Sequence, residues 1–123
     1  MVQTLQFREL VKIHQTVYPL SGRGKEIIYK KNNDNFEITW GRAKFKITKK
    51  LINDILVNYF IDHETWYPLG ASMDQPMRGG LGKFVRDNIK GLSPRHATAI
   101  AAVMYNEGFI EVKGRRPIML KKI

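Results

Sequence analysis

The stretch that most limits what this chain can become runs from Leu81 to Lys122, LGKFVRDNIKGLSPRHATAIAAVMYNEGFIEVKGRRPIMLKK. Leu81, Phe84, Val85 and Ile89 fall close to the i, i+3, i+4, i+8 spacing that gathers apolar groups on one face of a helix. Gly91, free to adopt positive φ, stops that helix. Ser93 then offers a capping oxygen, and Pro94 suits a first helical position, where no N–H is needed. A second helix over 94–107 is therefore expected, ending at Gly108. Beyond it, Phe109-Ile-Glu-Val-Lys, Gly114-Arg-Arg and Pro117-Ile-Met-Leu-Lys read as strand, turn and strand.

On the second helix, Ala97, Ile100, Ala101 and Met104 form one stripe at i, i+3, i+4, i+7, which is assigned to the core. The opposite side carries Arg95, Thr98, Ala99, Ala102 and Asn106, with His96 and Tyr105 at its margins. Such a face is polar at its start and slim in the middle, as suits a helix entering a major groove, where bulk would hold the axis away from base edges. The same alanines also fit a helix buried on both sides. Helix, short turn, helix and basic hairpin, joined through the run Asn106-Glu-Gly-Phe-Ile-Glu-Val-Lys-Gly-Arg-Arg, together resemble a winged helix-turn-helix. The resemblance extends to about two thirds of the chain if the helix that follows Thr48 is the first of the motif.

That resemblance implies DNA binding. Arg95 would take a guanine edge, Asn106 an adenine edge and Thr98 a thymine methyl or a phosphate, with His96, Ala99 and Ala102 along the same face. Lys113, Arg115 and Arg116 at the hairpin tip would lie on the backbone or in the minor groove, and Arg78 and Lys83 complete the expected contacts.

Charge supports a polyanionic partner independently of the resemblance. Lys and Arg number 21 against 11 Asp and Glu, a formal charge of +10 with a pI near 10.0. The basic residues divide 11 at or before Phe60 and 10 after it, so the excess belongs to the body of the protein and not to a tail. With no cysteine, neither a disulfide nor a thiolate metal site can form. No apolar run approaches the ~18 residues of a membrane span, and the N-terminus lacks a secretory core, so a cytoplasmic protein is expected, associated with the nucleoid when bound.

In chain order, Thr4 can cap a helix bearing Phe7, Leu10, Val11, His14 and Val17, ended by Tyr18-Pro19. Ser21-Gly-Arg-Gly-Lys is a connector whose cations could brush a nucleic-acid backbone, without the spacing of a P-loop. Glu26 to Lys31, Phe36 to Trp40 and Ala43 to Ile47 read as a three-stranded antiparallel meander, turned at Asn32-Asn-Asp-Asn, whose Asn and Asp tolerate left-handed geometry, and at Gly41-Arg42. Phe36, Ile38, Trp40, Phe45 and Ile47 should face the core. Thr48 caps a helix with a wide stripe of Leu51, Ile52, Ile55, Leu56, Tyr59 and Phe60. In the long connector that follows, Leu69 to Ser72 are placed as a short strand pairing with the hairpin, and Gly79-Gly80 as either a phosphate-accepting helix start or a tight turn.

The expected fold is thus α+β: an N-terminal helix and three-stranded meander (1–47) packed on a winged helix-turn-helix (48–123), the two forming one compact unit. The expected function is sequence-specific binding of double-stranded DNA, with a second copy of the chain as a further partner and no cofactor or membrane, as a transcriptional regulator or the site-recognition part of a nuclease or mobile-element system. Two alternatives stand beside it. One is RNA binding through Tyr29, Trp40 and Lys44 of the meander. The other is a small metal-dependent nuclease using Asp62, His63 and Glu64.

Overall fold

Alternating apolar and polar residues in the two runs around Gly41 build the centre of an antiparallel sheet in the computed structural model, which describes residues 14–123. Its four strands are β1 (Gln15–Val17), β2 (Ile27–Lys31), β3 (Asn35–Trp40) and β4 (Ala43–Thr48), in the order β1-β2-β3-β4. The register sets Tyr29 opposite Ile38 and Ile38 opposite Phe45, so one face collects the apolar groups. Ile27, Tyr29, Phe36, Ile38 and Ile47 are buried there, and Trp40 and Phe45 are half-buried at its margin. Gly41 takes φ +60° at the first position of the two-residue β3–β4 hairpin, where positive φ matches the twist of the strands. At the Asn32–Asn35 turn the Asn32 side chain accepts from the Asp34 and Asn35 N–H groups, and no non-glycine residue among those described has positive φ. The turn therefore uses its side-chain bonds without the left-handed geometry expected of it.

The sheet has one strand more than expected. The helix anticipated from Thr4 lies mostly outside the described residues, but Gln15–Val17, its expected last turn, is strand β1, paired with Ile27–Tyr29. A spacing of three puts His14 and Val17 on opposite faces of an extended chain, and of the two only Val17 is half-buried. Pairing with the open edge of β2 decides the matter, because it satisfies backbone groups that would otherwise face solvent unpaired.

Thr48 starts α1 (Lys49–Asn58), its hydroxyl oxygen accepting from the Leu51 N–H at 3.0 Å. At the other end Lys122 Nζ donates to the Leu56 carbonyl at 3.1 Å, placing a cation where the helix dipole is negative. There follow β5 (Tyr67–Pro68), α2 (Leu81–Asn88), α3 (His96–Asn106), β6 (Ile110–Lys113) and β7 (Met119–Lys122). The last three strands form a second sheet in the order β5-β7-β6. The short strand thus lies just before the expected Leu69–Ser72, with the Leu69 N–H continuing its pairing by donating to the Ile118 carbonyl at 2.9 Å.

Glycines make the approach to α2 close. A Cβ on Gly82 would overlap the Gly70 carbonyl oxygen and come within 2.9 Å of the Ala71 Cα, so the first turn of α2 sits directly on the loop backbone. The Gly82 N–H donates to Leu69 O and the Gly80 N–H to Met77 O, each at 2.9 Å. Gly79-Gly80 is accordingly the tight turn, and these two donors are already bonded.

Everything meets at α3. It packs on α2 and β6 to one side and on β1 and β2 to the other, with Ala97, Ala99, Ile100, Ala101, Ala102, Val103 and Met104 all buried. One hydrophobic cluster accordingly joins residues of both sheets and all three described helices. In urea denaturation, Gly82→Ala and Ala102→Leu should each cost about 1–3 kcal/mol through overpacking, and Thr48→Ala about 1 kcal/mol through the lost cap. An unchanged midpoint for Ala102→Leu would mean that the first sheet does not lie against α3.

Candidate nucleic-acid interface

Burial of α3 corrects the groove-facing surface anticipated for it. Ala99 is 0% and Ala102 2% exposed, and both lie in the core, out of reach of any base edge. Thr98 is half-buried. Asn106 is engaged by the fold: its Nδ2 donates to Gln15 Oε1 at 2.7 Å and to the Tyr29 hydroxyl at 2.8 Å. That hydroxyl in turn donates to Glu107 Oε2 at 2.6 Å, and Lys31 Nζ donates to Glu107 Oε1 at 2.8 Å. Burial pushes the Glu107 carboxyl up, but the bonds from Lys31 and Tyr29 outweigh it and hold its pKa below the ordinary value. The end of α3 is thereby tied to the first sheet.

The helix reaches solvent at its two ends, through Tyr105 and Asn106 at the last turn and through Arg95 and half-buried His96 at the first. Its first turn is tight, with the His96, Ala97 and Thr98 N–H groups donating to the carbonyls of Ser93, Pro94 and Arg95. Ser93 does not cap a helix N–H as anticipated. Its own N–H donates to His96 Nδ1 at 3.0 Å and its hydroxyl lies 2.9 Å from the same nitrogen, so His96 plays the part that Glu or Gln plays in a capping box. With Nδ1 accepting, the neutral ring carries its proton on Nε2. Burial lowers the His96 pKa, the Arg95 charge adds to the effect, and the ring packs edge-on against Phe45 with centroids 4.7 Å apart. Arg95 is exposed and lays its guanidinium 5.1 Å from the centre of the Trp40 ring.

Around this turn lies a cleft of about 640 Å³ whose lining includes Lys25, Trp40, Arg42, Met73, Arg95 and His96. Three turns and the loop that carries Met73 build it, the turns being the Gly24-Lys25 connector, the Gly41-Arg42 hairpin loop and the Ser93–His96 corner. Lys25, Arg42 and Arg95 contribute three cations, and no carboxylate lines it. None of the three forms an ion pair among the described residues. Arg95 and the cations of the connector are legible in the sequence, but not their meeting with Trp40 and Arg42. The available signal was a glycine placed directly before a cation in two separate turns.

Elsewhere the expected contacts divide. Arg115 and Arg116 are exposed at the hairpin tip, where Gly114 has φ +77°. Lys113 leans back with its Nζ 4.2 Å from the centre of the Trp66 ring, and Lys121 covers the same ring at 5.6 Å. Arg78 is exposed in its loop. Lys83 pairs with Asp87 at 3.0 Å and Arg86 with the same carboxylate at 2.9 Å, which offsets charge locally. The Asp62 carboxylate closes its own loop, accepting from the Glu64 N–H and the Thr65 hydroxyl, each at 2.9 Å. Among the described residues no group of three His, Asp or Glu could hold a metal ion. Tyr29, named for base stacking in the RNA alternative, is 1% exposed and has no free ring face.

The His96 arrangement has a pH signature. A folded pKa below the ordinary 6.5 means that its contribution to stability is complete above that value and declines as pH falls toward the lowered one. Thermal melts of wild type and His96→Gln across this range should converge as pH drops, and parallel curves would count against a neutral ring. Against protein-family models, curated proteins and solved structures, the chain gives no match.

Proposed function

We propose that the chain binds double-stranded DNA through a winged-helix-like unit whose contacts are weighted toward the phosphate backbone, in the service of a regulator or a site-recognition component. The observation that carries this reading is the element order α1-β5-α2-α3-β6-β7 with sheet order β5-β7-β6, in which the strand after the first helix pairs with the second strand of a cationic hairpin. A net charge of +10 supports it.

The contacts follow from exposure. Arg95, at the start of α3, is the residue left to meet a base edge, while Arg115 and Arg116 neutralise phosphates. With Ala99 and Ala102 covered, affinity is dominated by charge and sequence preference is modest. Duplex is favoured over single-stranded RNA because Tyr29 is buried and Trp40 already carries Arg95 on its ring.

Fluorescence anisotropy with random-sequence and selected duplexes tests this. Each phosphate contact removed should flatten the log–log salt dependence by about 0.9, so Arg115→Ala/Arg116→Ala together should flatten it by about 1.8. Arg95→Ala should narrow the gap between selected and random duplexes. Absence of duplex binding at low ionic strength would end the proposal, as would a stronger preference for single-stranded RNA.

A further inference from the structure

We infer that the cleft between the Gly41-Arg42 hairpin loop and the Ser93–His96 corner is a site for a nucleotide phosphomonoester. Its volume of about 640 Å³ lies within the ~300–1,000 Å³ usual for small-ligand sites. Charge selects the ligand class. Three cations with no carboxylate among the lining residues exceed what one diester phosphate neutralises, whereas a monoester carries about −1.5 to −2 at neutral pH.

The donors differ in kind, and each suits a part of such a ligand. Arg95 has its guanidinium over the Trp40 ring, 5.1 Å from the ring centre, and forms no ion pair among the described residues, so its N–H groups are available for a two-pronged bond to phosphate oxygens. Arg42 and Lys25 come from two separate turns, and His96, with Nδ1 fixed by Ser93, has an Nε2–H to donate. Met73, 57% exposed, supplies a pliable apolar wall for a base, and the Arg95 guanidinium plane a stacking surface. The same chemistry is offered by a free mononucleotide and by the phosphorylated end of a strand. Neither requires the hairpin tip, so this site is separable from the duplex contacts of Arg115 and Arg116 and shares Arg95 alone with the proposed duplex surface, which makes Arg42→Ala the variant that tests the cleft by itself.

Titration calorimetry on the full chain provides the test, using thymidine 5′-monophosphate, thymidine, and one short oligonucleotide with either a 5′-phosphate or a 5′-hydroxyl. The nucleotide should bind saturably and thymidine should not. Arg42→Ala and Arg95→Ala should each weaken the nucleotide at least tenfold, while Arg115→Ala/Arg116→Ala leaves it unchanged and weakens duplex. Tighter binding of the 5′-phosphorylated oligonucleotide than of the free nucleotide would identify a strand end as the source, and the reverse a soluble ligand. Circular dichroism of the variants separates lost binding from lost fold, and exposed Arg42 is the variant least tied to packing. The site is refuted if folded wild type shows no saturable uptake of the nucleotide at millimolar concentration, or if folded Arg42→Ala and Arg95→Ala both bind it as wild type does.

Discussion

The structure depends on a helix that must be dry on two opposite sides. α3 runs Ala-Thr-Ala-Ile-Ala-Ala-Val-Met from Ala97 to Met104, with one polar side chain in the stretch. A helix apolar around most of its circumference is stable only inside a core. The second sheet and α2 supply one wall, and the first sheet supplies the other. Small residues at 97, 99, 101 and 102 let both walls approach, while Ile100 and Met104 fill the gaps. Neither half of the chain can complete this burial alone.

Polar bonds fix how the first wall sits. Tyr29 reaches from the buried face of that sheet to the end of α3, donating to Glu107 and accepting from Asn106, and Lys31 neutralises the same carboxylate. Bonds to an ionised partner in partly dry surroundings are shorter and stronger than neutral ones, and they demand one geometry. At the opposite end Phe45 and Trp40 receive His96 and Arg95. The sheet is thus held at both ends of the helix.

Much of this was legible in the sequence. Alternation at Phe36–Ile47 specified the meander and its dry face, and Thr48 and Gly108 marked helix ends through local chemistry that tertiary structure did not override, whereas α2 stops at Asn88, three residues ahead of the expected stop at Gly91. The hairpin was equally plain. What failed was the second side of α3, because alanine is the residue of both a slim exposed surface and a close buried contact, and periodicity cannot separate them. Gln15–Val17 departs from the expected helix because three residues carry no reliable period. The cleft was unreadable for another reason: Lys25, Arg42 and Arg95 are brought together only by folding.

One detail at Gly41 bears on how that cleft would behave. The stem of Lys25 crosses the hairpin where no side chain stands in its way: a Cβ there would lie 3.3 Å from the lysine Cδ and 4.0 Å from its Nζ. A lysine lying along a groove in the main chain has fewer rotamers to surrender than one waving in water, so less entropy opposes its engagement with an anion. The bare α-carbon therefore acts as a rail, and the hairpin aims a residue some sixteen positions upstream of itself.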